Sequence, residues 1–139
     1  MSTPNEAEIN IQSVMLAMRQ VQQKSRAFIE DLARHDTLSQ KHIMLLMDLK
    51  LTGSMRITEI SDRFFITAGA ATSMCDKLEE QNMIYRTRTT EDRRVVKVAL
   101  TDTGEERLIT LFKHLPSDKL HTIAHVFKQI NELMSQITD

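Results

Sequence analysis

The segment between Ile57 and Gly104 constrains the fold of this chain more than any other. Its sequence predicts a helix, a tight turn and a second helix, followed by two short strands joined by a polar tip. The second helix has an apolar stripe at positions i, i+3, i+4 and i+7, formed by Ala71, Met74, Cys75 and Leu78. The residues on its other face are mostly small, namely Gly69, Ala70, Thr72, Ser73, Asp76 and Lys77. Because the major groove of DNA is only about 12 Å wide, a helix that enters it needs such a thin outer face.

The strands that follow bring positive charge close to this helix. Four arginines fall within nine positions, at Arg86, Arg88, Arg93 and Arg94. The whole chain has a formal net charge of −1, so contact with a polyanion has to depend on a local patch of this kind. A thin helix face beside a cluster of guanidinium groups predicts a winged helix-turn-helix that binds double-stranded DNA.

The DNA contacts are expected to divide between bases and phosphates. On the helix, base readout would use Thr72, Ser73 and Lys77, while methyl groups of Ala68 or Ala70 would meet thymine. The full set of candidate DNA-binding residues is Thr67, Ala68, Gly69, Ala70, Thr72, Ser73, Lys77, Arg86, Arg88, Arg93 and Arg94. No cofactor is expected.

Composition narrows the remaining possibilities. The 139 residues suffice for one domain, which would cover positions 1–139. Three glycines and two prolines are too few for the many turns of a β-sandwich, so helices are favoured. Cys75 is the only cysteine, and it cannot form an intrachain disulfide. The sequence has neither an apolar run of the roughly 20 residues that a membrane span needs nor a signal-peptide pattern, so a soluble, cytoplasmic protein is expected.

Local signals place the remaining elements. Long amphipathic helices are predicted from about Glu6 to Ala33 and, after Pro116 breaks the preceding helix, over residues 117–139. N-caps are expected at Ser39, Thr67, Thr101 and Ser117. Positive φ is expected at Gly53 and Asn82, where helices end. Strands are predicted at 55–57, 84–89 and 94–100. The fold is therefore expected to be mainly α with a small β-hairpin wing.

This order of elements resembles the MarR family of winged-helix transcription regulators. The specific matches are residues 57–61 (Ile-Thr-Glu-Ile-Ser), residues 71–78, residues 91–94 (Glu-Asp-Arg-Arg), and Leu100-Thr101 with Gly104. The resemblance implies a homodimer whose helices at 6–36 and 117–139 intertwine, with the DNA-binding region at 39–104. It also implies binding to a short palindrome, repression more than activation, and frequent release by a small molecule or an oxidant.

The resemblance also implies roles for individual residues. Arg94 would enter the minor groove with its guanidinium held by Asp92, and Arg93, Arg88 and Arg86 would contact phosphates. A ligand pocket between the dimer helices and the winged region would be lined by Met15, Met18, Met44, Met47 and Phe64. The chain departs from the family where Asn82 replaces a common glycine, and where Lys77 is the only cation on the outer face of the fourth helix.

Several other interpretations of these residues remain open. The arginines could belong to a solvated hairpin, or the basic wing could dock on an acidic protein partner. Cys75 could be a redox sensor, although its position on the apolar stripe favours the core. His121 and His125 are spaced i, i+4 and could share a metal, although a surface or dimer-contact role is favoured. The sequence shows no phosphate loop, nucleophile motif or zinc-protease pair, so an enzyme is not expected.

Overall fold

The computed structural model describes residues 3–138 of the chain. Its helices are α1 (Glu6–Ala33), α2 (Gln40–Thr52), α3 (Ile57–Phe64), α4 (Ala68–Glu80), α5 (Asp102–Lys113) and α6 (Ser117–Met134). Its strands are β1 (Met55–Arg56), β2 (Ile84–Arg88) and β3 (Val96–Leu100). The chain divides between Thr37 and Leu38 into two compact units. The mainly α fold with a small β wing is therefore confirmed.

The first unit consists mainly of α1, whose bounds match the prediction. Its start is fixed by a capping box, in which Asn5 Oδ1 accepts from the Glu8 N–H at 2.9 Å and Glu8 Oε2 accepts from the Asn5 N–H at 3.1 Å. Its apolar side chains at Ile11, Met15 and Met18 are exposed in the single chain. Apolar side chains at this spacing lie on one face of the helix.

The core of the second unit lies around α2. Ile43, Leu45, Leu46 and Leu49 of this helix are fully buried, which fits the dense apolar pattern of its sequence. The apolar residues buried with them in other elements include Ile60, Leu78, Val98 and Leu111. The sheet is antiparallel with the order β1-β3-β2, and Arg86 of β2 lies opposite Val98 of β3.

Gly104 accounts for a close approach between α5 and the chain just before β2. A Cβ at this position would lie only 2.0 Å from the carbonyl oxygen of Met83. The same carbonyl oxygen accepts from the Thr101 N–H at 3.0 Å, and Thr101 Oγ1 in turn accepts from the Gly104 N–H at 3.0 Å. The spacing of Thr101 and Gly104 therefore serves both a helix cap and a backbone contact that only glycine permits.

Two local expectations need correction. Ser117 is not the N-cap of the last helix: Pro116 takes that position with ψ 148°, and its carbonyl oxygen already accepts from the Leu120 N–H. The strands are shorter than predicted: β1 ends at Arg56 because Ile57 begins α3, and the wing strands end at Arg88 and resume at Val96. Thr89 Oγ1 bonds the backbone N–H and carbonyl of Asp92, and this side-chain bonding builds a turn in place of the last ladder positions.

Among residues 38–138, three have positive φ. Gly53, at φ 87°, and Asn82, at φ 59°, were predicted to end helices in this way, although ψ −46° places Gly53 outside the left-handed helical region. The third is Phe65, which ends α3 at φ 55° and ψ 43° and is 96% exposed. A bulky residue in this conformation is unusual, and no signal in the sequence pointed to it.

Candidate nucleic-acid interface

The two faces of α4 are divided as the sequence predicted. Ala71, Met74, Cys75 and Leu78 are buried on one side. The candidate DNA-binding residues on the helix and its cap are all exposed, namely Thr67, Ala68, Gly69, Ala70, Thr72, Ser73 and Lys77. Thr67 Oγ1 accepts from the Ala70 N–H at 3.1 Å, so the N-terminus of the helix is capped by one of these residues. The outer surface is therefore thin and open.

Asp92 and Arg94 form an ion pair at the tip of the wing. Asp92 Oδ1 accepts from the Arg94 backbone N–H at 3.0 Å and from its Nε at 3.1 Å. The hydrogen bond from the Arg94 side chain, followed by the one from its backbone, lowers the pKa of Asp92. The Arg94 side chain is nevertheless 91% exposed, so its guanidinium is oriented without being covered.

Arg88 and Arg93 complete the wing. Arg88 Nη1 donates to the carbonyl oxygen of Arg93 at 2.7 Å, which joins the end of β2 to the tip. Both residues are exposed in the single chain. Together with Arg94 they give the wing an exposed cluster of three guanidinium groups.

Arg86 lies away from this tip. It lies in the middle of β2, and its guanidinium contacts α4. Nη2 donates to Asp76 Oδ1 at 2.7 Å and to the Thr72 carbonyl oxygen at 3.2 Å, and Nη1 lies 3.7 Å from Glu79 Oε1. The hydrogen bond to Asp76 raises the pKa of Arg86. No local pattern revealed these partners, because they depend on how β2 lies against α4.

The proposed ligand-pocket residues are divided between the two units. Met15 and Met18 are exposed on α1, whereas Met44, Met47 and Phe64 are half-buried in the second unit. Three open clefts in the described residues are lined by other side chains. The pocket remains a prediction from the family resemblance.

The structure gives little support to metal or redox sensing in the single chain. His121 and His125 are exposed, and no group of three or more potential metal ligands occurs among residues 3–138. Cys75 is fully buried, and its burial raises the pKa of the thiol. A buried thiol with a raised pKa is a poor nucleophile and a poor sensor of oxidants. Among these same residues, no helix is long and apolar enough to cross a bilayer.

Two helices joined by a tight turn, with the second exposed beside an antiparallel wing, define a winged helix-turn-helix protein. Residues 38–96 match the model of the MarR family. This match, with the relatives described next, supports the similarity of the chain to MarR-family winged-helix proteins.

Two curated relatives share about a third of their aligned residues with this chain. The HTH-type transcriptional repressor MdtR of Bacillus subtilis is 33% identical over 92 residues, which cover 66% of this chain and 59% of MdtR. The transcriptional regulator ZitR of Lactococcus lactis is 30% identical over 105 residues, covering 74% of this chain and 63% of ZitR. The chain thus spans about three fifths of the length of these relatives.

Solved structures show the same fold. The transcriptional regulator BldR from Sulfolobus solfataricus superposes with a TM-score of 0.65 at 22% identity, over 96% of this chain and 99% of that one. A mutant MarR from E. coli complexed with operator DNA gives a TM-score of 0.57 at 22% identity, over 91% of this chain and 99% of that one. At these identities the likeness concerns the fold.

Proposed function

We propose that this protein is a transcription regulator that binds double-stranded DNA in a sequence-specific manner. The observation that carries the proposal is the exposed, thin face of α4 beside a wing whose Arg94 is oriented by Asp92. The names of the relatives support it, since MdtR is called a transcriptional repressor and a MarR structure contains operator DNA. Repression is proposed by this likeness.

In the proposed complex, α4 lies in the major groove and the wing in the adjacent minor groove. Thr72, Ser73 and Lys77 are exposed where base edges would come within reach, and Ala68 and Ala70 offer methyl groups for thymine. The exposed guanidinium of Arg94 suits a narrow, A·T-rich minor groove, where the negative potential is strongest. Arg93 and Arg88 would contact phosphates and so fix the register of the protein on DNA.

A homodimer on a palindromic operator completes the proposal. On α6, Phe127, Ile130 and Leu133 are between 41% and 61% exposed in the single chain, and α1 has a comparable exposed apolar face. Apolar stripes of this extent favour burial by a second copy. A two-fold dimer would present two α4 helices about one DNA turn apart, and its operator would be a near-palindrome. Release by a small molecule, bound in a pocket that includes Met44 and Met47, is part of the proposal.

A mobility-shift titration against genomic fragments tests the proposal, beginning with the region beside the gene for this protein. We expect one fragment to be retained in excess competitor DNA. Ser73→Trp should abolish this retention because the indole would fill the gap between α4 and the base edges, and thermal stability should be nearly unchanged because Ser73 is exposed. Thr110→Trp, on the exposed side of α5, is the matched control.

The alternative of a protein-binding module makes a different prediction in this experiment. A basic wing that docks on an acidic protein needs no particular base sequence, so competitor DNA would remove every fragment equally. That result, or retention that Ser73→Trp leaves intact, would contradict sequence-specific recognition through α4.

A further inference from the structure

Arg86 occupies a position between the helix and the wing that the proposed DNA contacts do not explain. It starts from the central position of β2, and its side chain is only 26% exposed. All three of its closest polar partners, Asp76, Glu79 and the carbonyl oxygen of Thr72, belong to α4. An arginine that contacted phosphate would have to give up at least part of this bonding.

The geometry at α4 suits a connection between two elements. The guanidinium donates through Nη2 to a carboxylate and to a helix carbonyl one turn away, at 2.7 and 3.2 Å. The planar fork of arginine can satisfy several acceptors in one arrangement, which a single point charge cannot do. Since the carboxylate and the carbonyl are four residues apart on α4, this bonding restrains both the distance and the rotation of the helix relative to β2.

Charge supports the same interpretation. Asp76 and Glu79 put two carboxylates on consecutive turns of the helix proposed to approach DNA, and Arg86 is the cation that pairs with both. Asp76 is still half exposed, so without its partner it would stand as an unpaired anion close to a polyanion.

We propose that Arg86 is a positioning residue, which fixes α4 on β2 through Asp76 and the Thr72 carbonyl oxygen and does not bind phosphate itself. This inference rests on the proposed function for its effect on DNA, but the connection between helix and strand can be measured without DNA. With this connection, the angle between α4 and the wing depends on the Arg86 side chain. Simultaneous binding of α4 and the wing in two DNA grooves would then depend on the same side chain.

The reactivity of the Cys75 thiol allows the connection between α4 and β2 to be measured without DNA. It is buried on α4 next to Asp76, and it is the only cysteine of the chain, so its rate of reaction with a thiol reagent reports how often α4 opens from its neighbours. Arg86→Met should increase this rate roughly threefold to tenfold, the range expected for a partly buried polar connection. Loss of the Arg86 charge would by itself raise the thiol pKa and slow the reaction, so an increase identifies opening.

A double-variant comparison tests whether Arg86 acts through Asp76. Loss of the Asp76 charge would by itself lower the thiol pKa, so each rate is divided by the thiolate fraction measured for that variant. After this correction, Asp76→Asn should also accelerate the reaction, and adding it to Arg86→Met should accelerate it little further, because both variants break the same connection. Arg86→Lys should restore part of the protection. Arg88→Met is the matched control, since Arg88 lies two residues along the same strand but bonds the Arg93 carbonyl oxygen. The proposal would be overturned if the Cys75 reaction rate were unchanged in both the Arg86 and the Asp76 variants. It would also be overturned if the acceleration in the double variant were the product of the accelerations in the two single variants.

DNA binding distinguishes positioning from phosphate contact. On a retained fragment, Arg86→Met and Asp76→Asn should both weaken binding roughly tenfold, with the dependence of log K on log salt unchanged. Arg88→Met, at a proposed phosphate contact, should instead reduce that slope by about 1. A phosphate-binding Arg86 predicts the reverse: a reduced slope for Arg86→Met, and tighter binding for Asp76→Asn. If the parent retains no fragment, the proposed function fails, and the Cys75 rates alone decide whether Arg86 holds α4.

Discussion

Asp92 Oδ1 accepts two hydrogen bonds from Arg94, from the backbone N–H at 3.0 Å and from Nε at 3.1 Å, and Oδ2 accepts a third from Nη2 at 3.3 Å. The first bond fixes the turn at the tip of the wing and the second fixes the direction of the side chain. Because the guanidinium remains exposed, it is oriented before any ligand arrives. Orientation before binding reduces the entropy that an association has to overcome.

Substitution at this pair should weaken DNA binding to different extents. Arg94→Ala removes the proposed minor-groove contact and should cost about 1–3 kcal/mol in specific binding, with the fold intact. Asp92→Ala should cause part of the same loss, because the arginine is kept but no longer oriented. The measurement is a titration of a retained DNA fragment at fixed salt.

Arg34→Ala is the matched control for that titration. Arg34 is also an exposed arginine close to an aspartate, Asp31, at 3.5 Å, but it lies at the end of α1. Equal affinities for Arg94→Ala and the parent protein would show that the wing does not bind as proposed.

The same pair predicts how Asp92 titrates. Its pKa is lowered by Arg94, so the contribution of the pair is present above the usual value of 3.8 and is lost as pH falls through the lower folded pKa. Arg94→Ala should therefore raise the pKa of Asp92 toward 3.8, as measured by carboxyl-carbon NMR. Between pH 6 and 8 the pair should not respond to pH. An unchanged pKa in the variant would mean that the ion pair is not formed in solution.

Gly104 and Gly69 should respond in opposite ways to alanine. Gly104→Ala places a methyl group against the backbone of Met83 and should lower the free energy of unfolding by about 1–3 kcal/mol or more. Gly69→Ala meets only Thr67 Oγ1, at 3.9 Å, and should raise stability by up to about 1 kcal/mol because alanine favours helix. Urea denaturation measures both. A Gly104→Ala protein as stable as the parent would contradict the close approach of α5 to Met83.

The apolar stripe of α6 predicts the effect of a charge on assembly. Phe127→Glu should convert a dimer into monomers at micromolar concentration, because a buried, unpaired carboxylate at the interface is costly. Gln129→Glu adds the same charge at an exposed polar position of the same helix. Sedimentation velocity would distinguish the states. A parent protein that is monomeric at this concentration would remove the basis for the two-fold arrangement.

The features that were predicted best from the sequence are those determined by residues close to one another along the chain. Ser39, Thr67 and Thr101 all cap helices as expected, since each hydroxyl bonds an N–H three residues ahead. The buried stripe of α4 followed from helical periodicity, and the exposed face followed from the stripe. The bounds of α1 were also reproduced.

The features that the sequence did not predict depend on contacts between elements, or on a local context that overrides the conformational preference of a residue. Asp76 and Arg86 are ten residues apart, and their bond exists only because β2 lies along α4. Phe65 adopts positive φ against its own preference, because the turn between α3 and α4 requires that conformation. Ser117 is a favourable cap by residue type, but Pro116 already has the cap conformation.

Selection of binding sites from a randomised duplex library tests sequence-specific recognition by α4 and the wing most directly. The account predicts two related half-sites with centres about 10 base pairs apart, few required guanines, and a preference for A·T pairs beneath the two wings. A G·C-rich consensus without preference beneath the wings, or no enrichment of any sequence, would contradict it.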